Sequence, residues 1–90
     1  MNEMHAFELW GALKQAMRTD HVERWELLPW EGGFAVLAYR TSAKGGCYTG
    51  KHWTFSELEK MPADIFLHEI LRQVRDLGEM VNARGGRGGR

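Results

Sequence analysis

The chain has 90 residues, a formal net charge of zero and one cysteine, and 43% of its residues are hydrophobic. This length allows one domain with a modest core, and a single cysteine excludes an internal disulfide framework and a cysteine-based metal cluster. The longest apolar run, residues 34–39, is far too short to cross a bilayer or to act as a signal sequence. We therefore expect a soluble, cytoplasmic protein that does not associate with membranes.

The first predicted element is an amphipathic helix at residues 4–18. Its apolar residues recur at steps of three and four, as on one face of a helix; they are Ala6, Leu9, Trp10, Leu13, Ala16 and Met17. Asn2 suits the N-cap because its side-chain oxygen can accept from a backbone N–H of the first turn. Gly11 weakens the middle of the helix and leaves room for another element to approach closely.

Three strands are predicted next, at residues 24–29, 34–41 and 47–53, with glycine-containing turns at 31–33 and 42–46. Pro29 cannot donate to a ladder, so the first strand suits an edge or a strand end. The second strand is apolar on both alternating faces, which predicts a central strand covered at least in part on both sides. Gly50 is a candidate bulge in the third strand.

The last part of the chain is predicted to be helical. Thr54 and Glu57 match a capping box, which begins a short helix that ends near Lys60. Pro62 suits the first turn of the main helix, where its missing N–H costs nothing. The apolar stripe of the main helix consists of Phe66, Leu67, Ile70, Leu71, Val74, Leu77 and Val81. This stripe is wide enough to cover the sheet and to leave a seam for a homodimer.

These elements predict an α+β fold in the order α-β-β-β-α, with a three-stranded antiparallel meander packed against two helices. Residues 1–83 form the single domain, and residues 84–90 form a flexible Arg-Gly-Gly tail. Four tryptophans exceed what so small a core usually holds, so we expect one or two of them to be partly exposed.

Catalytic motifs are weak in this sequence. Residues 45–51 have the spacing of a phosphate-binding P-loop, but His52 replaces the Ser or Thr that holds Mg²⁺, and the segment leads into a strand instead of a helix. Cys47 and His52 are five positions apart, which places them on opposite faces of a regular strand. The histidines lack metal-ligand spacing. We therefore predict no enzymatic activity, no metal site and no cofactor.

The charge distribution is the most distinctive feature. Residues 32–56 contain no Asp or Glu, whereas acidic residues outnumber basic ones in the segments on either side. Cations are interleaved with aromatic side chains in this window, a combination that attracts polyanions and acidic protein surfaces. The predicted partner-binding residues are Trp30, Arg40, Lys44, Tyr48, Lys51 and Trp53.

Two functions fit this basic, aromatic hairpin. The first is a small non-catalytic regulator, adapter or inhibitor that docks on a macromolecular partner; the size would also fit an inhibitor from a mobile element. The second is a nucleic-acid-binding module in which Arg84, Arg87 and Arg90 of the tail assist the hairpin. The acidic remainder of the domain favours a protein partner. A third interpretation stays open, in which the hairpin cations only neutralise the acidic helices.

Overall fold

The order of the elements follows the sequence prediction. The computed structural model describes residues 2–83, with α1 (Glu3–Ala16), β1 (Arg24–Trp30), β2 (Gly33–Ser42), β3 (Gly45–Thr54), α2 (Phe55–Glu59) and α3 (Ala63–Ala83). The strands form one antiparallel sheet in the order β1-β2-β3. The predicted α+β meander with helices before and after it is confirmed. The predicted tail, residues 84–90, lies outside the described residues.

Local hydrogen bonds explain where the first two helices begin. The Asn2 side chain accepts from the His5 N–H at 2.8 Å, which confirms Asn2 as the N-cap of α1. At α2, the Glu57 N–H donates to the Thr54 hydroxyl at 3.0 Å, and the Thr54 N–H donates to the Glu57 carboxylate at 2.8 Å. The predicted capping box is therefore present, and the bond from the Thr54 N–H lowers the pKa of Glu57.

β2 is the central strand of the sheet, and β1 and β3 are its edges. The edge position of β1 agrees with Pro29, which has no N–H to donate to a further strand. The pairing of β2 with β3 runs without a break along all of β3, so the bulge expected at Gly50 is wrong. Gly50 pairs with Leu37, and a Cβ at position 50 would lie 2.7 Å from Leu37 Cδ2. Glycine therefore makes room here for the Leu37 side chain.

Side chains of a strand alternate between the two faces of a sheet, and the helices of residues 2–83 pack on one of these faces. We call this side the helix face; its core residues are Val36, Ala38, Cys47 and Trp53. We call the other side the open face; its side chains come from Arg24, Glu26, Leu28, Trp30, Ala35, Leu37, Tyr39, Tyr48 and His52. The sequence predicts that β2 is covered at least in part on both sides. On the helix face the helices provide this cover. On the open face only neighbouring side chains of the sheet shield β2.

The core between the helices and the helix face has two parts. The larger cluster is formed by Leu9, Ala12, Leu13, Ala16, Val36, Trp53, Leu58, Phe66 and Ile70, and Trp25 of β1 packs against it. The smaller cluster lies towards the β2–β3 loop and is formed by Val22, Ala38, Cys47, Leu77 and Val81. α3 reaches both clusters because its 21 residues span about 31 Å. α1 contributes to the larger cluster.

A buried glutamine fastens α3 to the sheet. The Gln73 amide nitrogen donates to the Val36 and Thr49 carbonyl oxygens, each at 2.9 Å, and the Thr49 hydroxyl donates to the Gln73 backbone carbonyl at 3.3 Å. The sequence prediction placed Val74 in the apolar stripe, but Gln73 is buried and Val74 is half-buried. Among the described residues, the Gln73 side-chain oxygen has no hydrogen-bond partner.

Candidate functional site

The predicted partner-binding residues divide between the two faces of the sheet. Trp30 and Tyr48 lie on the open face, where they are 50% and 59% exposed. The helix-face positions of the same strands hold Arg40, Lys51 and Trp53. The aromatic and basic side chains therefore do not form one continuous surface, because they alternate along the strands. Two of the four tryptophans, Trp10 and Trp30, are exposed, which confirms the expectation from composition.

Glu69 of α3 holds two of these residues against the helix. The Trp53 indole is 2% exposed, and its N–H donates to Glu69 Oε1 at 2.7 Å. Its ring centroid lies 4.9 Å from that of Phe66 in an edge-to-face arrangement. Lys51 Nζ lies 4.0 Å from the same carboxylate oxygen. Trp53 is therefore a core residue whose ring is not accessible to a partner, and Lys51 fits the interpretation in which a hairpin cation neutralises an acidic helix.

Arg40 and Lys44 lie at the β2–β3 end of the sheet. Arg40 is half-buried, and its charge helps to lower the pKa of Glu23, although the main cause is a 2.7 Å hydrogen bond from the Thr41 hydroxyl. Lys44 is exposed in the loop between the strands. Of the three hairpin cations, Lys51 alone forms an ion pair with a carboxylate within the described part of the chain.

The open face presents two pairs of rings with aliphatic side chains between them. The Trp30 and His52 rings stack with centroids 4.9 Å apart and an interplanar angle of 29°. At the other end, the rings of Tyr39 and Tyr48 are 5.8 Å apart. The aliphatic residues between these pairs are Leu28, Ala35 and Leu37, and Leu28 is exposed. Leu37 is half-buried and Ala35 is buried, so the apolar centre is partly exposed. A partly exposed apolar centre with aromatic side chains at its margins is typical of an interaction surface.

The charged groups on the open face are already paired with each other. Arg24 lies 4.3 Å above the Tyr39 ring, in cation–π geometry, and 3.8 Å from the Glu26 carboxylate. The Tyr39 hydroxyl donates to the same carboxylate at 3.3 Å. These contacts occupy Arg24, which is the one Lys or Arg among the open-face side chains defined above. The face therefore offers a partner apolar and aromatic contact instead of free positive charge.

Sequence reasoning missed Leu28, Leu37, Tyr39 and His52 as members of this surface. The signal that could have found them is the length of the first turn, because it sets which residues of two strands share a face. The structure pairs Trp30 with Gly33, so the turn contains two residues, whereas a turn at 31–33 was expected. A change of one residue in the turn moves every side chain of the next strand to the other face.

Cys47, His52 and the other histidines are the residues whose chemistry could serve catalysis or metal binding. The strand register places Cys47 opposite Arg40 on the helix face and His52 opposite Ala35 on the open face, which confirms that the two are on opposite sides. The Cys47 thiol is buried. In residues 2–83, no group of three or more His, Cys, Asp or Glu side chains is arranged to hold a metal ion.

Comparisons with models of protein families, with curated proteins and with solved structures give no match to this chain. Within residues 2–83, no helix has the combination of length and apolar character needed to cross a membrane. Exposed aromatic and aliphatic side chains are grouped on two surfaces, the open face and the outer side of α1, which carries Met4, Phe7 and Trp10.

Proposed function

We propose that the protein is a small non-catalytic binding module, acting as a regulator, adapter or inhibitor, that docks on another protein through the open face of its sheet. The observation that supports this most directly is the pair of ring contacts, Trp30 with His52 and Tyr39 with Tyr48, on the face that the helices of residues 2–83 leave uncovered. Exposed aromatic residues that stand beside aliphatic ones are the usual anchors of protein interfaces.

The distribution of charge supports a protein partner over a nucleic acid. Binding of a single strand combines stacking of bases on aromatic rings with a cationic groove that follows the phosphates. Here the exposed rings are on the open face, while Arg40 and Lys51 occupy helix-face positions. Arg24 is next to the rings, but Glu26 offsets its charge. A partner with a flat apolar patch of its own would match this surface better than a polyanion.

The open face also has the rigidity that a binding surface needs. Its side chains lie on three paired strands, and the strands are fixed from behind by the core under β2. The ring contacts hold Trp30 and Tyr48 in defined positions before any partner arrives. Preorganised side chains lose little conformational entropy on binding, so each buried ring contributes more to affinity.

The test is affinity capture with matched variants. The double variant Trp30→Ala/Tyr48→Ala removes one ring from each of the two ring pairs of the open face. The control Ile65→Ala/Leu71→Ala removes two exposed apolar side chains from α3. We expect the wild type and the control to retain the same partner protein from a cell extract, and the double variant to lose it. Retention of that partner by a folded double variant would overturn the proposal.

The same proteins test the nucleic-acid alternative. A labelled single-stranded DNA and RNA are titrated into the wild type at low and at high salt, because phosphate contacts weaken steeply as salt rises. We expect that a chain without residues 84–90 shows no salt-dependent binding of either nucleic acid. Salt-dependent binding that persists when residues 84–90 are removed would replace the protein partner with a nucleic acid.

A further inference from the structure

α1 is apolar on two opposite sides, and only one of them is covered. Its inner side contributes Leu9, Leu13 and other core residues to the larger cluster. Its outer side exposes Met4 by 72%, Phe7 by 68% and Trp10 by 53%. A surface helix normally keeps its large apolar residues on the covered side and polar residues on the opposite side. The outer side of α1 is therefore a surface that lacks its cover in the single chain.

The outer side has the spacing of a helix–helix seam. Met4, Phe7, Gly11 and Lys14 follow each other at steps of three, four and three, as the a and d positions of a heptad do. On a helical wheel they fall within a sector of about 80° that faces away from the core residues. No described atom lies within 4 Å of a Cβ placed at Gly11. Gly11 is therefore an open notch in the seam, beside the large Phe7 ring.

This seam is complementary to itself when two copies run antiparallel. With the two-fold axis near the middle of the helix, Phe7 of each copy lies over Gly11 of the other, so a large residue fills a gap. The same arrangement places Lys14 opposite Met4 of the second copy and next to its Glu3, which brings opposite charges together. A parallel arrangement instead sets Phe7 against Phe7 and Lys14 against Lys14. The antiparallel arrangement is favoured by both size and charge.

A groove next to the seam enlarges the surface that a second copy would cover. The groove has a volume of about 400 Å³ and an almost entirely apolar lining that includes Trp10, Phe55 and Phe66. Met4, Phe7, Trp10 and Phe55 together offer roughly 500 Å² of apolar surface per copy, or about 1,000 Å² for a pair, at the lower limit for a specific interface. Such an interface forms a concentration-dependent dimer.

α3, which the sequence analysis suggested as a dimer seam, offers less. Its apolar stripe lies under the sheet, where Phe66, Ile70 and Leu77 are fully buried. Its exposed large apolar residues are Ile65, Leu71 and Met80. Leu71 lies on a different side of the helix from Ile65 and Met80, and those two are 15 positions apart along the chain, so the three form no continuous stripe. The outer side of α1 is the more continuous apolar surface.

We infer that the protein forms an antiparallel homodimer through the outer side of α1, with Phe7 seated in the Gly11 notch of a second copy. This assignment is independent of the partner proposed for the open face, because α1 lies on the opposite side of the sheet. A dimer of this form leaves both open faces accessible. Each dimer would therefore present two partner-binding surfaces.

Sedimentation equilibrium over a range of concentrations tests the dimer. We expect the wild type to pass from monomer to dimer, and Phe7→Glu to remain monomeric over the same range with an unchanged circular dichroism spectrum. Ile65→Glu is the matched control, since it adds the same charge to an exposed apolar site of α3, and it should dimerise like the wild type. A wild type that stays monomeric throughout, or a Phe7→Glu variant that dimerises equally well, would overturn the inference.

Disulfide trapping tests the orientation without a destabilising charge. Phe7→Cys and Gly11→Cys are prepared separately and then oxidised alone and as a mixture; the native Cys47 is buried. An antiparallel seam yields mainly the mixed disulfide between positions 7 and 11. A yield of each self-linked dimer as high as that of the mixed one would exclude the antiparallel arrangement.

Discussion

On the helix face of the sheet, Trp53 lies under Phe66 and donates its N–H to Glu69; on the open face, Trp30 stacks on His52 and stays half exposed. Both tryptophans are on outer strands of the same sheet, three residues or fewer from a turn or a helix. They differ in the face to which the strand register directs them. The local sequence supplies a large ring in both cases, and the register decides whether it serves stability or contact.

The same comparison applies to the cations. Lys51 faces α3 and pairs with Glu69, while Lys44 lies in a loop and is exposed. Residues 32–56 contain no acidic side chain, yet they do not form a single positive surface. Successive side chains of a strand point to opposite faces of the sheet, so the cations of this window are separated. Charge counted along a sequence predicts a surface only after the residues have been assigned to faces.

The largest effect that tests this comparison is expected for Trp53→Ala. Removal of a buried indole from the helix face should lower the free energy of unfolding by about 3–5 kcal/mol. Trp30→Ala, its counterpart on the open face, should cost about 1 kcal/mol or less, since half of the ring is already in water and only a ring contact is lost. Urea unfolding followed by circular dichroism measures both values.

If Trp53→Ala does not fold, Trp53→Phe replaces it. This variant keeps an aromatic ring but loses the hydrogen bond to Glu69, so it should be intermediate between the wild type and Trp53→Ala. Equal losses in the free energy of unfolding for Trp30→Ala and Trp53→Ala would show that the tryptophan on the helix face contributes no more to stability than the one on the open face.

A smaller effect on stability is expected for Gln73, the buried polar residue of α3 that bonds to the sheet. Gln73→Leu keeps the volume but removes the donor shared by the Val36 and Thr49 carbonyls, and should cost about 1–2 kcal/mol. Gln15→Leu on the exposed part of α1 is the control, with a change near zero. A Gln73→Leu variant as stable as the wild type would mean that the unpartnered Gln73 oxygen cancels the two bonds.

The fold was predictable because its signals are local. Asn2, the Thr54–Glu57 pair and Pro29 each act within a few residues of their own position, and each is found where it was expected. The alternation of β2 and the stripe of α3 likewise give the element types correctly. Caps, turns and periodicity depend on near neighbours in the chain, so one sequence is enough to recognise them.

The candidate surface was less predictable because it depends on register and on which face the helices choose. Tyr48 and Trp30 are among the partner-binding residues that the sequence predicts, and both lie on the open face, but Leu28 and Leu37 were not recognised. Both faces of β2 are apolar, so hydrophobicity alone does not distinguish the covered face from the open one. The choice is made by α3, whose Ile70 and Leu77 pack over the helix face. Such long-range packing leaves no local mark in the sequence.

The smallest effect is expected for the pH dependence of stability that arises from the contact between Thr41 and Glu23. The hydrogen bond from the Thr41 hydroxyl lowers the pKa of Glu23 below its ordinary value of 4.5. A carboxyl group with a lowered pKa in the folded state stabilises the fold above its ordinary pKa, and this contribution is lost as the pH falls through the folded-state value. Thr41→Val removes the donor, so its melting temperature should be lower than that of the wild type near neutral pH, and the difference should shrink well below pH 4.5.

Thr49→Val is the matched control for this measurement, because the Thr49 hydroxyl donates to the Gln73 backbone carbonyl, which does not titrate. Its difference in melting temperature from the wild type should stay constant across the same pH range. If the Thr41→Val difference is also constant, the Thr41 hydroxyl does not stabilise the charged form of Glu23. The contribution of the Thr41 hydroxyl to stability would then come from contacts that do not depend on the charge of Glu23.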